Sequence, residues 1–462
     1  MALQKTRILI TAALANIFLF LAVFWSVSAL ADNHDSDRVS YNSATGLAAI
    51  PLTGAVPEDF RLNMNGPWRV FRGQIVRPGD DIGKYKVEHT ELPERWHRQP
   101  ADIRSRMRED DTQPAGFGVA TYTLLMLVPT TDVPLAIRVQ SPYSAYEVWL
   151  NDKLVVSNGH ISTSSKGFQA YYHTRYIPLP PGEIVDITFI VANFEHRAGG
   201  VLRPPQVVNL NAELADTKYL DFSYLFVFGS LFALLIFQFA YFVRSLPNQP
   251  EWSHLWFCVL SVLLLLRLAM LQSLPELVIP DFPQFSTKVL EYLTIYLAPA
   301  AYVGFLSSMF PGEFPRWFRW LVYTPCVILT TITLTMPVYF FSSFQDYAII
   351  FILAVALFSQ GATILAWTRS RTGAAAVVIF TVAFVLTLVN DSLHYFHAFD
   401  LRRYAFEDLT PFGIALLSIG YSIALGSRSR AIYDQARKLS EDLKTIAASL
   451  ETRVKDRTAD LE

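Results

Sequence analysis

The sequence predicts a membrane protein with an all-β exported domain, then seven transmembrane helices, then a C-terminal coiled coil. Three observations predict it. Of 462 residues, 52% are hydrophobic and only 17% charged, and mean hydropathy is +0.29, whereas a soluble domain is about 25% charged. The region 32–216 is punctuated by proline and glycine and alternates apolar with polar residues, the period of half-buried strands. The region 217–426 holds seven apolar runs, each long enough to cross about 30 Å of hydrocarbon at about 1.5 Å per residue.

The N-terminus is basic ("MALQKTR"), followed by an apolar run Ile8–Val27 and "SALAD". Ala29-Leu30-Ala31 has the A-x-A cleavage pattern, so residues 1–31 are expected to be a secretory signal peptide cut after Ala31. An uncleaved anchor is the alternative, because the run is longer than the usual signal core. Either one exports the region from Asp32 onward. "GVATYTLLMLVP" (Gly118–Pro129) is a strand run with a proline stop. "LAIRVQSPYSAYEVWLNDKLVVSNG" (Leu135–Gly159) gives three short strands, with Asn151-Asp152 as a turn, and "VDITFIVANF" (Val185–Phe194) alternates again. Short strands between regular turns imply an antiparallel sandwich. The two cysteines, Cys258 and Cys326, lie in apolar runs, so this domain folds without disulfides. No metal-ligand Cys/His cluster occurs. A net charge of -2 gives no sign of a nucleic-acid partner.

The expected spans are Tyr219–Val243, Leu255–Leu274, Val289–Phe310, Phe318–Phe341, Tyr347–Trp367, Ala374–Phe396 and Leu409–Leu425. With the N-terminal domain outside, Arg244, Arg316, Arg319, Arg369, Arg371, Arg428 and Arg430 fall inside, and only Lys288, Arg402 and Arg403 fall outside. That bias is the one membranes impose, and an odd number of spans then places the tail in the cytosol. In the tail, 427–462, Ile432, Leu439, Leu443, Ile446 and Leu450 keep the spacing of a coiled-coil seam. The step to Val454 inserts four residues where three are due, a stutter that locally unwinds a supercoil, and Leu461 keeps the new phase. A seam of this kind, beginning within two turns of the membrane, predicts a homodimer; a merely solvated juxtamembrane helix is the plainer alternative.

"GFGVATYTLLM", "AYEVWLNDKLV" and "VANFEHRAGG" in the first domain, "FVFGSLFALLIFQFAYF", "LVNDSLHYF" and "LTPFGIALLSIGYSIAL" in the spans, and the closing "LETRVKDRTADLE" together resemble the bacterial seven-transmembrane receptors with diverse intracellular signalling modules. The resemblance implies a jelly-roll, galactose-binding-like periplasmic domain, and an inner-membrane protein whose final helix feeds a cytoplasmic effector, a histidine kinase, diguanylate cyclase or other nucleotide cyclase. No catalytic domain follows the rod here, so the output enzyme is expected to be missing from this chain or a separate partner.

Two groups of residues are candidates for function. Sugar recognition needs an aromatic face and planar polar groups; Trp149, Asn151, Asn193, Glu195, His196 and Arg197 supply these types for a periplasmic small molecule or carbohydrate. Each has a plainer reading, Trp149 as core, Asn151 as a turn former, and the "EHRAGG" cluster as internal hydrogen bonding. In the spans, Arg267, Glu291 and Asp391 are charges at membrane depth, where each costs at least about 2.5–3.5 kcal/mol unless partnered. Helix rise puts Arg267 about 18 Å and Asp391 about 26 Å from the inner edge, so an Arg267–Asp391 contact is expected, with Glu291, Asn390 and His394 able to join it, as a static clamp or as a signalling switch. Nothing indicates a cofactor: no Gly-rich phosphate loop, G-x-S-x-G or H-E-x-x-H occurs. The competing classes are a transporter or channel, for which no internal repeat is found, and a membrane-anchored sugar-active protein, for which no motif places a carboxylate pair.

Overall fold

The structure, a computed structural model, describes residues 40–459 apart from 43–46, 53–54, 59, 109, 111, 141–143, 172–173, 248–249, 273, 276–283 and 397–408. The expected signal peptide and Leu461 lie outside the described residues.

The first domain is a β-sandwich. Its principal strands are β1 (Leu47–Ala49), β2 (Arg61–Asn63), β3 (Gly66–Arg72), β4 (Glu88–Leu92), β5 (Gly118–Leu127), β6 (Leu135–Val139), β7 (Ala145–Leu150), β8 (Lys153–His160), β9 (Arg175–Pro178), β10 (Ile184–Asn193) and β11 (Gln206–Asn209). The main sheet runs β4-β3-β5-β10-β7-β8, with β1 also beside β5. The second sheet runs β9-β6-β11-β2. Alternation explains the layering: Tyr122, Leu124 and Met126 of β5 and Ile187, Phe189 and Val191 of β10 point inward, against Ile137 of β6 and Val207 of β11. One pair departs from the antiparallel expectation. β1 runs parallel to β5, Leu47 opposite Leu125. Between them the chain leaves to contribute β2 to the other sheet, so no tight hairpin enforces antiparallel pairing.

Seven helices come next: α1 (Leu210–Ser245), α2 (Trp252–Leu271), α3 (Gln284–Met309), α4 (Arg316–Thr335), α5 (Gln345–Thr368), α6 (Ala374–Phe396) and α7 (Thr410–Ala459). All seven are long and apolar enough to cross a membrane, and the chain is a multi-pass membrane protein. The fourth span ends earlier than expected, at Thr335 rather than Phe341. Pro337 cannot continue the helix and pushes Met336 into extended backbone (φ -108, ψ 156). The remaining apolar residues form a short separate helix, Val338–Ser342. α6 and α7 pack closely because Gly420 has no side chain; a Cβ there would sit 2.2 Å from Cγ of Phe380. α7 is continuous for 50 residues. In the single chain, Leu439, Leu443, Ile446 and Leu450 are all more than half exposed.

Candidate functional site at the junction of the two domains

The sandwich meets the helices in two ways. The first is covalent. β11 ends at Asn209, whose side chain accepts from the backbone N–H of Asn211 and Ala212 and so caps α1. In the first turn of α1, buried Glu213 ion-pairs with Arg61 of β2 at 3.1 Å and Arg138 of β6 at 3.3 Å, and accepts from Tyr176 Oη of β9 at 3.4 Å. Three strands of the second sheet thus grip one carboxylate of the first transmembrane helix.

The second junction is a docked loop. After β10 the chain turns through "FEHRAGG". Asn193, buried, holds this turn: its Nδ2 donates to the carbonyls of Gly116 and His196, both at 2.7 Å, and its Oδ1 accepts from the His196 N–H at 3.1 Å. Gly199 makes the turn possible, since a Cβ would lie 2.0 Å from the Gly116 carbonyl oxygen. The Gly199 carbonyl accepts from the Trp96 N–H, and Trp96 is fixed from below by Nε1 to Tyr122 Oη (2.9 Å), Tyr122 Oη to Glu94 (2.6 Å) and Glu94 to Arg72 (2.6 Å). Burial and the neighbouring Glu94 carboxylate push the Tyr122 phenol well above its usual range.

From this support two loop side chains reach the helices, and Phe117 beside them makes a third contact. Arg197 donates through both terminal nitrogens to Asp346 at the start of α5, at 3.0 and 2.7 Å, a fork matched to a carboxylate. Its backbone N–H faces Ser342 Oγ at 3.4 Å. His196 places Nε2 3.3 Å from Tyr292 Oη of α3, and Tyr292 donates on to Gln345 Oε1 at 2.6 Å. Phe194 packs edge-on against Phe117, which meets Tyr339 of the short helix at 5.7 Å. Burial, then the charge of Lys288, pushes the His196 imidazole down to about 3, and burial, then Arg197, takes His97 to about 4, so both are neutral at pH 7. Burial raises Glu195, opposed by Lys288.

Of the residues expected to touch a ligand, Asn193, Glu195, His196 and Arg197 therefore sit at this junction. Trp149 lies elsewhere, half-buried on the outer face of the main sheet, with Nε1 donating to Glu147 at 3.1 Å. Asn151 adopts φ 54 in the β7–β8 turn and exchanges hydrogen bonds with the Asp186 backbone. In the helices, Arg267 Nη1 donates to the Glu291 carbonyl at 3.3 Å, and Lys288 pairs with the Glu291 carboxylate at 2.7 Å. Asp391 instead caps α7, accepting from the N–H groups of Leu409 (3.0 Å) and Thr410 (2.7 Å) and from Asn390 Nδ2. The hydrogen bonds and ion pairs of the described residues thus give Arg267 and Asp391 different partners. His394 is in the last turn of α6, and its side chain lies outside the described residues. Sequence reasoning missed Glu213, Tyr292 and Asp346. Each lies near the end of an apolar run, among other polar residues that also suit a solvated helix end.

Residues 220–428 match the family model described as 7TM diverse intracellular signalling. The helical domain belongs to that family. The expected resemblance to seven-transmembrane receptors therefore holds for this domain. At the opposite end of the 7TM signalling domain a second polar node surrounds the point where α7 leaves the bundle. His254 of α2 bonds Gln238 of α1 at 2.7 Å and Ser429 of α7 at 3.2 Å. Arg428 donates to the Ser308 and Met309 carbonyls at the end of α3, both at 2.8 Å, where helices favour a cation.

Solved structures that match in part are β-glucuronidases from Faecalibacterium prausnitzii (15% identity, 34% of this chain, 32% of that one, TM-score 0.25) and Ruminococcus gnavus (13%, 34%, 30%, 0.24), and a putative β-galactosidase from Bacteroides fragilis (16%, 32%, 23%, 0.23). The chain spans about a third of the length of the first two. No curated protein matches it.

Proposed function

We propose that this protein is a sensory receptor of the bacterial inner membrane. Its sandwich faces the periplasm and binds a small molecule or carbohydrate. The 7TM signalling domain carries the change across, and α7 delivers it, as a paired rod in a homodimer, to a cytoplasmic kinase or nucleotide cyclase. The observation that carries this reading is the docked loop. A domain that merely decorated a transporter would need only the covalent link, whereas here Arg197 and His196 of the loop, with Phe117 beside it, also engage α5, α3 and the short helix. Two contacts to a bundle allow relative motion between them. A ligand shifts such an equilibrium only if it binds one arrangement better than the other. The basic bias of the inner loops supports the orientation, and the exposed apolar seam of α7 supports pairing.

The test is disulfide cross-linking at Leu443→Cys between copies in native membranes. Arg197→Asp and Asp346→Arg should each change the cross-linking rate, and the two together should restore it. Identical rates in all backgrounds would refute coupling through this joint. Reporter fusions at Gly159 and Ser440 check orientation and should report from opposite faces.

A further inference from the structure

The outer face of the main sheet carries a patch that extends away from the docked loop, with Trp149 at its border packed against the cluster of Phe117, Ile190 and Phe194. Strand register places Arg69, Thr123, Thr188, Trp149 and Leu154 in one row across β3, β5, β10, β7 and β8. Residues directly opposite on such a ladder share a face, about 5 Å apart. The next row toward the junction is Phe71, Thr121, Ile190, Glu147 and Ser157. The crossing segment around Gln74–Arg77 covers part of that row: the Val76 N–H donates to Thr121 Oγ1 at 3.0 Å, and Arg77 holds Glu147 through two contacts at 3.3 Å. The outer row has no such cover from that segment. Arg69 and Leu154 are exposed, Thr123 and Trp149 are half-buried, and Thr188 between them is buried.

Beyond this row lies Asp186, on the same face two residues before Thr188. The turn at Asn151 grips its backbone from both sides, accepting from the Asp186 N–H at 2.9 Å and donating to its carbonyl at 2.7 Å. Its Oδ1 is buried, and no donor reaches it among the described residues. An unsatisfied buried oxygen is costly, and a ligand donor would remove that cost. Burial raises the Asp186 carboxyl, and Arg69 acts against the rise. Glu147 is offset by Arg77 and Asp186 by Arg69, while Asp152 adds a negative charge near Asp186. A site of this balance disfavours an anion. Trp149 and Leu154 offer an apolar platform, and half-buried Thr123 offers a hydroxyl that donates or accepts.

We infer that this outer row is the receptor's ligand site and that it takes a neutral, polyhydroxylated ligand of the oligosaccharide class, seated on Trp149 with a hydroxyl donated to Asp186. The inference rests on the receptor reading and deepens it, because β10 carries the site at one end and the docked loop at the other. Thr188 and Asn193 are five residues apart on one strand, about 17 Å. Such a strand lets a ligand push or pull on the loop through a stiff element.

The test is binding of the full chain in nanodiscs to an array of neutral oligosaccharides, with hits titrated in solution. Trp149→Ala should weaken a hit about tenfold, the scale of a lost aromatic platform with its burial. Asp186→Asn and Trp149→Phe, both close in shape, should weaken it several-fold while near-ultraviolet circular dichroism stays native. Arg197→Asp should still bind. Binding that survives all the site variants would place the ligand elsewhere and overturn the inference, while the cross-linking test of the receptor reading would stand. A blank array overturns it too. So would loss of copy-to-copy association in Trp149→Ala, which would put a second copy on this face.

Discussion

The two attachments between sandwich and helices differ in kind. At α1 the chain itself makes the link, a cap satisfies the first helical N–H groups, and one nearly buried carboxylate is shared by three strands. At α3 and α5 the link is a loop that reaches out through a forked ion pair, a histidine–tyrosine contact and a backbone N–H facing Ser342, with the edge of Phe117 beside it on Tyr339. Asp346, the helical half of that ion pair, is 39% exposed, whereas Glu213 is 6% exposed. The first attachment is built to stay fixed. The second can open without unfolding either partner. A receptor needs both, since a sensor that is loose everywhere transmits nothing and one that is rigid everywhere has no second state to select.

The largest test of this contrast is Glu213→Ala. It leaves Arg61 and Arg138 without their shared counter-charge, and breaking a buried pair costs about 3–5 kcal/mol. Hydrogen exchange of the amides in the first turn of α1 should accelerate more than a hundredfold, and the melting temperature of the whole chain in detergent should fall. A change confined to the loop would show that the fixed attachment had been misassigned. Next in size is Arg197→Ala. A charge-assisted pair with one half-exposed partner is worth about 1–2 kcal/mol. Exchange should rise several-fold to about thirtyfold across residues 194–199, with α1 unchanged. If both regions accelerate together, the two attachments are one mechanical unit and the contrast fails.

Much of this architecture was readable because it rests on short-range rules. Seven apolar runs of spanning length and the alternation in "VDITFIVANF" each reflect burial that every residue in the segment must satisfy. The end of α4 was readable in principle, since Pro337 sits inside the run, but continuous hydropathy across "TMPVYFF" concealed the break. The junction was half readable. "NFEHRAGG" stood out as a dense polar cluster, yet its partner Asp346 is 149 residues away from Arg197, and no local pattern joins them. For Arg267 and Asp391, helix rise gave depth but not the direction each side chain faces around its helix. Asp391 sits where it can cap the next helix, and the free N–H groups at the start of α7 claimed it.

The smallest expected effect is that of acid on the docked loop, and it distinguishes the two attachments by sign alone. His196 is held down to about 3 by burial and by Lys288, so the docked loop keeps it neutral. Once undocked it regains its ordinary value near 6.5 and takes a proton. The undocked form thus binds more protons as pH falls, and docking weakens from about pH 6.5 downward until pH passes below the docked value. At pH 5.5 the loss is about 1.4 kcal/mol, one unit below the ordinary value. The groups facing this ring matter for the net slope: Arg197 and Lys288 repel an imidazolium, Glu291 attracts it, and Tyr292 Oη is its hydrogen-bond partner. Glu195 works in the opposite direction, because a carboxyl raised by burial is stabilised by protons. Exchange of residues 194–199 followed from pH 7.5 to 5.5, after correction for intrinsic rates, should therefore show the loop loosening while the first turn of α1 does not. His196→Gln should flatten that response and Glu195→Gln should steepen it. A loop as firm at pH 5.5 as at 7.5 in the unaltered protein would mean that His196 is protonated in place, and that its burial does not depend on docking.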